Sequence, residues 1–183
     1  MVKSIKVYQN FNIKKDHKNS IILIGNFDGL HVGHQKLFSL AKKYKKKHKI
    51  KIGVFTFEPM PKMFFNKNLK NFRISNKIQK IDLLEKFGVD FVIIKKFDKN
   101  FSKTKSIDFI KNILNKKLNA KFIFVSNNFR FGNKREGNVK QLIKYENIYN
   151  YRIIKPQPLL AKKKVISSTL IRNFLQNGKL NKA

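Results

Sequence analysis

Residues 20–35 read SIILIGNFDGLHVGHQ, and the change of pattern inside this stretch decides the fold. The first half is a short apolar run of β-branched and aliphatic residues, which predicts a buried strand over 20–27. The second half is broken by Gly25, Gly29 and Gly33 and carries His31 and His34 three positions apart. A helix is predicted over 34–47, with Leu37, Leu40, Ala41 and Tyr44 forming one apolar stripe. A buried strand that turns through glycines into a helix places free N–H groups and the positive end of a helix dipole at the turn. That arrangement favours phosphate. His31 and His34 face one side of the helix entry and add two imidazole donors. Asp28 is the only other ligand-type side chain close by, so a metal site is the weaker reading of the pair. G-x-x-x-x-G-K-[ST] and G-x-G-x-x-G are both absent.

Working outward, strands and helices alternate. Further strands are predicted over 50–57, 91–95, 122–126 and 151–155. Helices are predicted over 77–87, 106–117, 139–147 and 168–176. Gly88 closes one helix, Asn177 and Gly178 another, and Pro59 and Pro61 mark a loop. This alternation predicts an α/β fold, a mostly parallel sheet with helices on both faces, in one domain over 1–183. Ligands of such sheets bind beyond the carboxyl ends of the strands.

Of the 183 residues, 42% are hydrophobic, enough for a sizeable core. Cys is absent, which excludes a disulfide scaffold, a thiolate metal site and a cysteine nucleophile. The N-terminal segment lacks the apolar core of a signal peptide, and no apolar run approaches a membrane span. A cytoplasmic protein with no membrane partner is expected. Lys+Arg number 42 against 10 Asp+Glu, a net charge of +32. Only Arg73, Arg130, Arg135, Arg152 and Arg172 are arginines, and the lysines spread along the whole chain. Lys, Asn, Ile and Phe share A- and T-rich codons, so the excess is read as compositional rather than as a nucleic-acid footprint, which would draw more on Arg.

Three further segments carry chemistry. ISSTLIR (166–172) clusters Ser167, Ser168 and Thr169 at a helix start, with Arg172 on the same face. Hydroxyls, helix N–H groups and a guanidinium make an anion pocket; ordinary N-capping is the plainer alternative. FEPMP (57–61) and NNFRFGNKREGN (127–138) follow two other strands. Each joins aromatic and polar residues in a stiff or Gly-containing loop where a flat ring could stack, although burial is the commoner fate of a Phe.

GNFDGLHVGHQ resembles the HxGH turn of adenylyl- and cytidylyltransferases. FEPMP resembles FEPHP, NNFRFG resembles DFRFG, and ISSTLIR matches ISSTxIR. Together and in this order they resemble bacterial FAD synthetase, the FMN adenylyltransferase module of the bifunctional riboflavin kinase/FAD synthetases. The resemblance runs from the first strand to Gly178. It implies a Rossmann-like nucleotidyltransferase fold and the reaction FMN + ATP → FAD + pyrophosphate with Mg²⁺. It implies that His31 and His34 contact ATP phosphates and that Gly25, Asn26, Phe27, Asp28 and Gly33 line the nucleotide pocket. Ser167, Ser168, Thr169 and Arg172 would hold the triphosphate tail. Phe57, Pro59, Pro61, Asn128, Phe129 and Arg130 would shape the flavin side.

Met60 departs from the His of FEPHP, and Asn128 from the commoner Asp. No riboflavin kinase module is expected within 1–183, so FMN would come from a separate source. Three alternatives compete with this reading: another HxGH transferase with a different acceptor, a basic nucleic-acid-binding protein descended from such an enzyme, and a decayed enzyme.

Overall fold

The computed structural model describes residues 4–69, 72–161, 164–179 and 181. Its strands, in chain order, are β1 Lys6–Tyr8, β2 Ile21–Ile24, β3 Ile52–Glu58, β4 Phe91–Lys96, β5 Phe122–Phe124, β6 Arg130–Phe131, β7 Gly137–Asn138, β8 Arg152–Ile154, β9 Leu160–Ala161 and β10 Lys164–Val165. Its helices are α1 Val32–His48, α2 Pro61–Phe65, α3 Lys77–Lys86, α4 Lys99–Ser102, α5 Ser106–Asp108, α6 Val139–Lys144, α7 Glu146–Tyr149 and α8 Ser168–Gln176. The π-helix Phe109–Lys117 continues directly from α5.

Six strands form one all-parallel sheet in the order β1-β4-β3-β2-β5-β8. The chain leaves β2 toward β3 and β4, then returns to the other side of β2 with β5 and β8. The order therefore reverses at β2, and a ligand crevice belongs beyond its carboxyl end. The loops after β2, β3 and β5 lie side by side there.

Strand periodicity builds the two faces. Ile22, Ile24, Phe55, Phe91, Ile93 and Ile123 enter one buried cluster, with Phe109, Ile110, Ile113 and Leu114 of the π-helix and Val139 and Leu142 of α6. Ile21, Leu23, Ile52, Val54, Val92, Ile94 and Phe124 enter the other, with Phe38 and Ala41 of α1 and Leu84 of α3. Both faces are covered, as expected of a parallel sheet.

Several elements differ from the sequence reading. β1 was not predicted: its three residues, KVY, are too few for a periodicity, and pairing with β4 makes them a strand. The loop expected around Pro59 and Pro61 contains α2, with Pro61 at its first position, where a missing N–H costs nothing. α1 starts at Val32, with His31 as N-cap, so His34 belongs to its first turn. Ala41 of the expected stripe is fully buried together with Phe38, while Leu37, Leu40 and Tyr44 are only partly buried. The helix expected over 106–117 is mostly π-helical, and that expected over 139–147 divides at Tyr145 into α6 and α7.

Candidate functional site

The turn after β2 is held in an uncommon backbone conformation. Phe27 and Leu30 have positive φ (47° and 36°), as does Gly29 (75°). For side chains this bulky, such angles cost on the order of 1–3 kcal/mol each and persist only where surroundings enforce them. Asp28 does much of the enforcing. It is 1% exposed, and its carboxylate accepts from Ile74 N (3.1 Å), Ser75 N (3.1 Å) and Ser75 Oγ (3.4 Å). Arg172 Nη2 donates to it at 2.6 Å. Ser168 Oγ donates to the Asp28 carbonyl at 2.8 Å. The turn is thereby bolted to segment 72–75 and to the start of α8.

His31 and His34 stand on this turn with their rings stacked, centroids 3.8 Å apart and 26° between planes. Phe27 packs against His34 at 5.2 Å. The Nδ1 atoms of both histidines are buried without a hydrogen-bond partner. Burial pushes His34 down to about 3, with the neighbouring His31 adding to the shift and Asp28 opposing it. Burial also lowers His31. Near neutral pH both rings are thus uncharged, each with one N–H donor. His31 gives the first turn of α1 no side-chain acceptor, so that helix end keeps its positive partial charge uncapped. A Cβ at Gly33 would lie 3.1 Å from His31 Nδ1 and 3.5 Å from the Ile166 carbonyl. Glycine there lets the imidazole fold over the helix start while α8 approaches. The sum is a pair of neutral donors and a bare helix N-terminus around one point, suited to a multiply charged anion.

The second predicted half lies alongside. Ser167 caps α8, its Oγ accepting from Leu170 N at 3.3 Å, so the capping alternative holds for this hydroxyl. Thr169 is exposed. Arg172 Nε donates to the Phe72 carbonyl at 2.7 Å, and the guanidinium lies 3.9 Å from the centroid of the Phe72 ring. Two of its five N–H donors are engaged by Asp28 and Phe72, and three remain for a ligand.

The structure spreads the other expected pocket residues between surface and scaffold. Gly25 and Gly33 are half-buried, and Asn26 is exposed. Phe27 and Asp28 are buried beneath the turn and support it from below. On the β3 side, Phe57 packs on Phe55, Phe97 and Phe101, at 4.8, 5.6 and 5.6 Å. Pro59 and Pro61 are half-buried, and Met60 is 1% exposed, so its departure from His acts through packing. After β5, Asn128 and Arg130 are exposed, and the Asn128 side chain accepts from Ser126 Oγ at 2.9 Å. The half-buried Phe129 ring stacks on Phe131 at 5.6 Å, which in turn packs on Phe109.

Sequence reasoning missed segment 72–75 and two charged residues, Glu58 and Lys80. Glu58 is paired with Arg73. Lys80 is 7% exposed. Its position was legible: Lys80 stands four before Leu84 and seven before Phe87, on the apolar face of α3.

A parallel sheet with its strand-order reversal at β2, and a glycine-rich histidine turn just beyond it, defines an α/β domain with its candidate ligand site at the reversal. The comparisons make this specific. The FAD synthetase family model matches residues 13–170, and the chain belongs to that family. It is 42% identical over 172 residues to the bifunctional riboflavin kinase/FMN adenylyltransferase of Buchnera aphidicola (subsp. Acyrthosiphon pisum), covering 94% of this chain and 55% of that one. Against the Escherichia coli K12 protein of the same description it is 34% identical over 160 residues, covering 87% and 51%. The chain thus spans about half the length of these curated relatives. A crystal structure described as a macrolide-efflux protein from Streptococcus pneumoniae superposes with TM-score 0.78 at 27% identity, covering 97% of this chain and 59% of that one. Among the described residues no helix is long and apolar enough to cross a membrane.

Proposed function

We propose that this chain transfers the adenylyl group of ATP to FMN, releasing FAD and pyrophosphate. The observation that carries this reading is the stacked pair His31 and His34, with both buried Nδ1 atoms unpartnered at the uncapped start of α1. Buried polar atoms without partners call for a ligand or a functional reason, and family membership supports reading that ligand as ATP.

The FMN phosphate is largely dianionic at neutral pH and needs no strong general base. One of its oxygens attacks the α-phosphorus of ATP, and a new P–O bond forms. The bond from that phosphorus to the α,β-bridging oxygen breaks, and the electron pair leaves with pyrophosphate. The protein's share is positioning and charge stabilisation. His31 and His34, as neutral N–H donors, stabilise charge growing on the phosphoryl oxygens. The free donors of Arg172, the Thr169 hydroxyl and the start of α8 hold the leaving end, while Ser167 and Ser168 fix that helix start through Leu170 N and the Asp28 carbonyl. Gly25, Asn26 and Gly33 let the nucleotide approach the backbone.

Mg²⁺ would accompany ATP and offset charge on its phosphates. The Asp28 carboxylate is consumed by protein donors, and among the described residues no group of three or more His, Cys, Asp or Glu is placed to hold a metal. The residues present suit an ion ligated mainly by phosphate oxygens and water, as Mg²⁺ commonly is in such reactions.

Phe57, Phe129, Asn128 and the Pro59–Pro61 segment form the flavin side. Met60 underlies that side as packing, and Arg130 lies at its edge. An activity that phosphorylates riboflavin must supply the FMN, and a cytoplasmic setting fits both substrates. The testing experiment is an acceptor panel with MgATP: FMN, nicotinate mononucleotide, phosphopantetheine and riboflavin. FMN alone is expected to yield an adenylylated product. Preference for either of the other two phosphates would replace the flavin assignment.

A further inference from the structure

Glu136 is an acid that the mechanism above does not use. In a chain with 42 basic residues an exposed acid has many cations within reach. Among the described residues Glu136 nevertheless enters no ion pair. Its Oε1 instead accepts from the Ser106 N–H at 2.6 Å, across 30 positions of chain. Ser106 is the first residue of α5, and Lys105 before it gives that helix end no side-chain cap. The first N–H groups of a helix need partners from outside it, and an ionised acceptor makes a stronger bond there than a neutral one. Two neighbouring bonds join the same parts. Asn133 N donates to the Thr104 carbonyl at 2.7 Å. Gln141 Nε2, from α6, donates to the hydroxyl of Ser106, itself 7% exposed, at 3.1 Å.

These bonds seat the β6–β7 hairpin on the start of α5, and the seat is tight. A Cβ at Gly132 would lie 2.8 Å from Ser106 N, and one at Gly137 would lie 2.8 Å from Ser106 Cβ and 2.7 Å from the Phe131 ring. Lys134 and Arg135, at the hairpin tip, have positive φ (48° and 61°). Non-glycine residues keep such a backbone only where their surroundings enforce it, and the anchored Glu136 follows directly. The hairpin carries the aromatic pair of the flavin side. Phe131 pairs with Gly137 in the ladder and packs on Phe109 of the π-helix at 5.1 Å. The Phe129 ring stacks on Phe131 at 5.6 Å with 19° between planes. Where the hairpin sits on the helix start therefore sets where the Phe129 ring stands. We propose that Glu136 is a positioning residue for flavin binding: its carboxylate latches the β6–β7 hairpin to Ser106 N and so fixes the Phe129 ring for the flavin to stack on. The proposal rests on the reading of the site as an FMN site and deepens it.

The test uses the full chain with Glu136→Ala and Glu136→Gln. Circular dichroism reports folding, flavin fluorescence reports FMN affinity, calorimetry reports ATP affinity, and steady-state FAD synthesis separates KM from kcat. Glu136→Ala is expected to weaken FMN binding and raise the KM for FMN by about tenfold, the scale of coupling between residues in contact. ATP affinity, and kcat at saturating FMN, should stay within twofold of wild type. Glu136→Gln keeps an acceptor oxygen for Ser106 N and should recover FMN affinity to within about threefold. Glu136→Ala added to Phe129→Ala is expected to do no further harm, because both act through one ring. The proposal is overturned if folded Glu136→Ala binds FMN within twofold of wild type, or if FMN and ATP affinities fall together. It is also overturned if the two effects multiply in the double variant, if glutamine recovers nothing, or if Glu136→Ala does not fold. Absence of FAD formation by the wild-type chain sinks the adenylyl-transfer reading instead. The FMN titrations still decide the role of Glu136, and a wild-type chain that binds no FMN overturns it.

Discussion

Gly33→Ala is expected to separate catalysis from stability. Gly33 is the second residue of α1, and a methyl group there meets His31 Nδ1 at 3.1 Å and Cε1 at 3.2 Å. Ordinary contacts lie near 3.5–4.0 Å, so the ring must retreat by about 0.5 Å. It cannot do so without disturbing its stack on His34, 3.8 Å away. The Ile166 carbonyl, at 3.5 Å, already sits at ordinary contact and need not move. A misplacement of about 1 Å in a catalytic geometry costs on the order of 10²-fold. Half of that gives roughly a tenfold fall in kcat, or about 1.4 kcal/mol. The helix itself gains, because alanine is favoured over glycine by about 0.5–1 kcal/mol. Steady-state FAD synthesis and a thermal melt, measured on the same preparation, are expected to show a slower enzyme with unchanged or raised Tm. A folded Gly33→Ala enzyme with kcat within twofold of wild type would refute the assignment of His31 as a positioned donor.

Other outcomes follow from the same geometry. His31→Ala and His34→Ala are each expected to lower kcat by about 10²-fold with FMN affinity retained, as for other preorganised donors; near-wild-type turnover would leave them a structural role only. Arg172→Lys keeps charge but loses the fork and the stacking on Phe72, so ATP titration should weaken about tenfold while FMN titration does not, and Phe129→Ala should show the reverse. The same loss on both ligands in folded variants would show that these residues are scaffold. His34, neutral in the fold down to about pH 3, would take up a proton near pH 6.5 once unfolded. Its burial therefore contributes stability above pH 6.5 that is lost as the pH falls toward 3. Urea melts at pH 7.5, 6.0 and 4.5 should show a steeper loss for wild type than for His34→Gln, and parallel trends would contradict the burial of an uncharged ring.

The sheet was legible because its strands are short runs of β-branched and aromatic residues, such as IILI and VFTF, between helical periods. Where length gave no period, as in KVY, only tertiary pairing reveals the strand. The histidine turn was legible from its glycines and its spacing. The fate of Asp28 was not. An acid inside a glycine-rich turn reads as a pocket-lining group, yet the backbone N–H groups of Ile74 and Ser75, 46 and 47 positions away, claim it. No local pattern announces a bond of that separation. Arg172 and Ser168 both reach Asp28 from α8. The bonds of Arg172 to Asp28 and Phe72, with chain separations of 144 and 100, depend on how α8 docks. Lys80 carried a readable signal, a charge on the apolar face of α3, that composition alone disguised in a chain with 42 basic residues.

The most direct test of adenylyl transfer is product stoichiometry. The purified, folded chain is incubated with FMN, ATP and Mg²⁺, FAD is resolved from FMN by chromatography, and pyrophosphate is assayed in the same samples. The account predicts FAD and pyrophosphate in equal amounts, with none of either when FMN is replaced by riboflavin, which has no phosphate to attack. No FAD at saturating FMN and MgATP, or ADP in place of pyrophosphate, would contradict it.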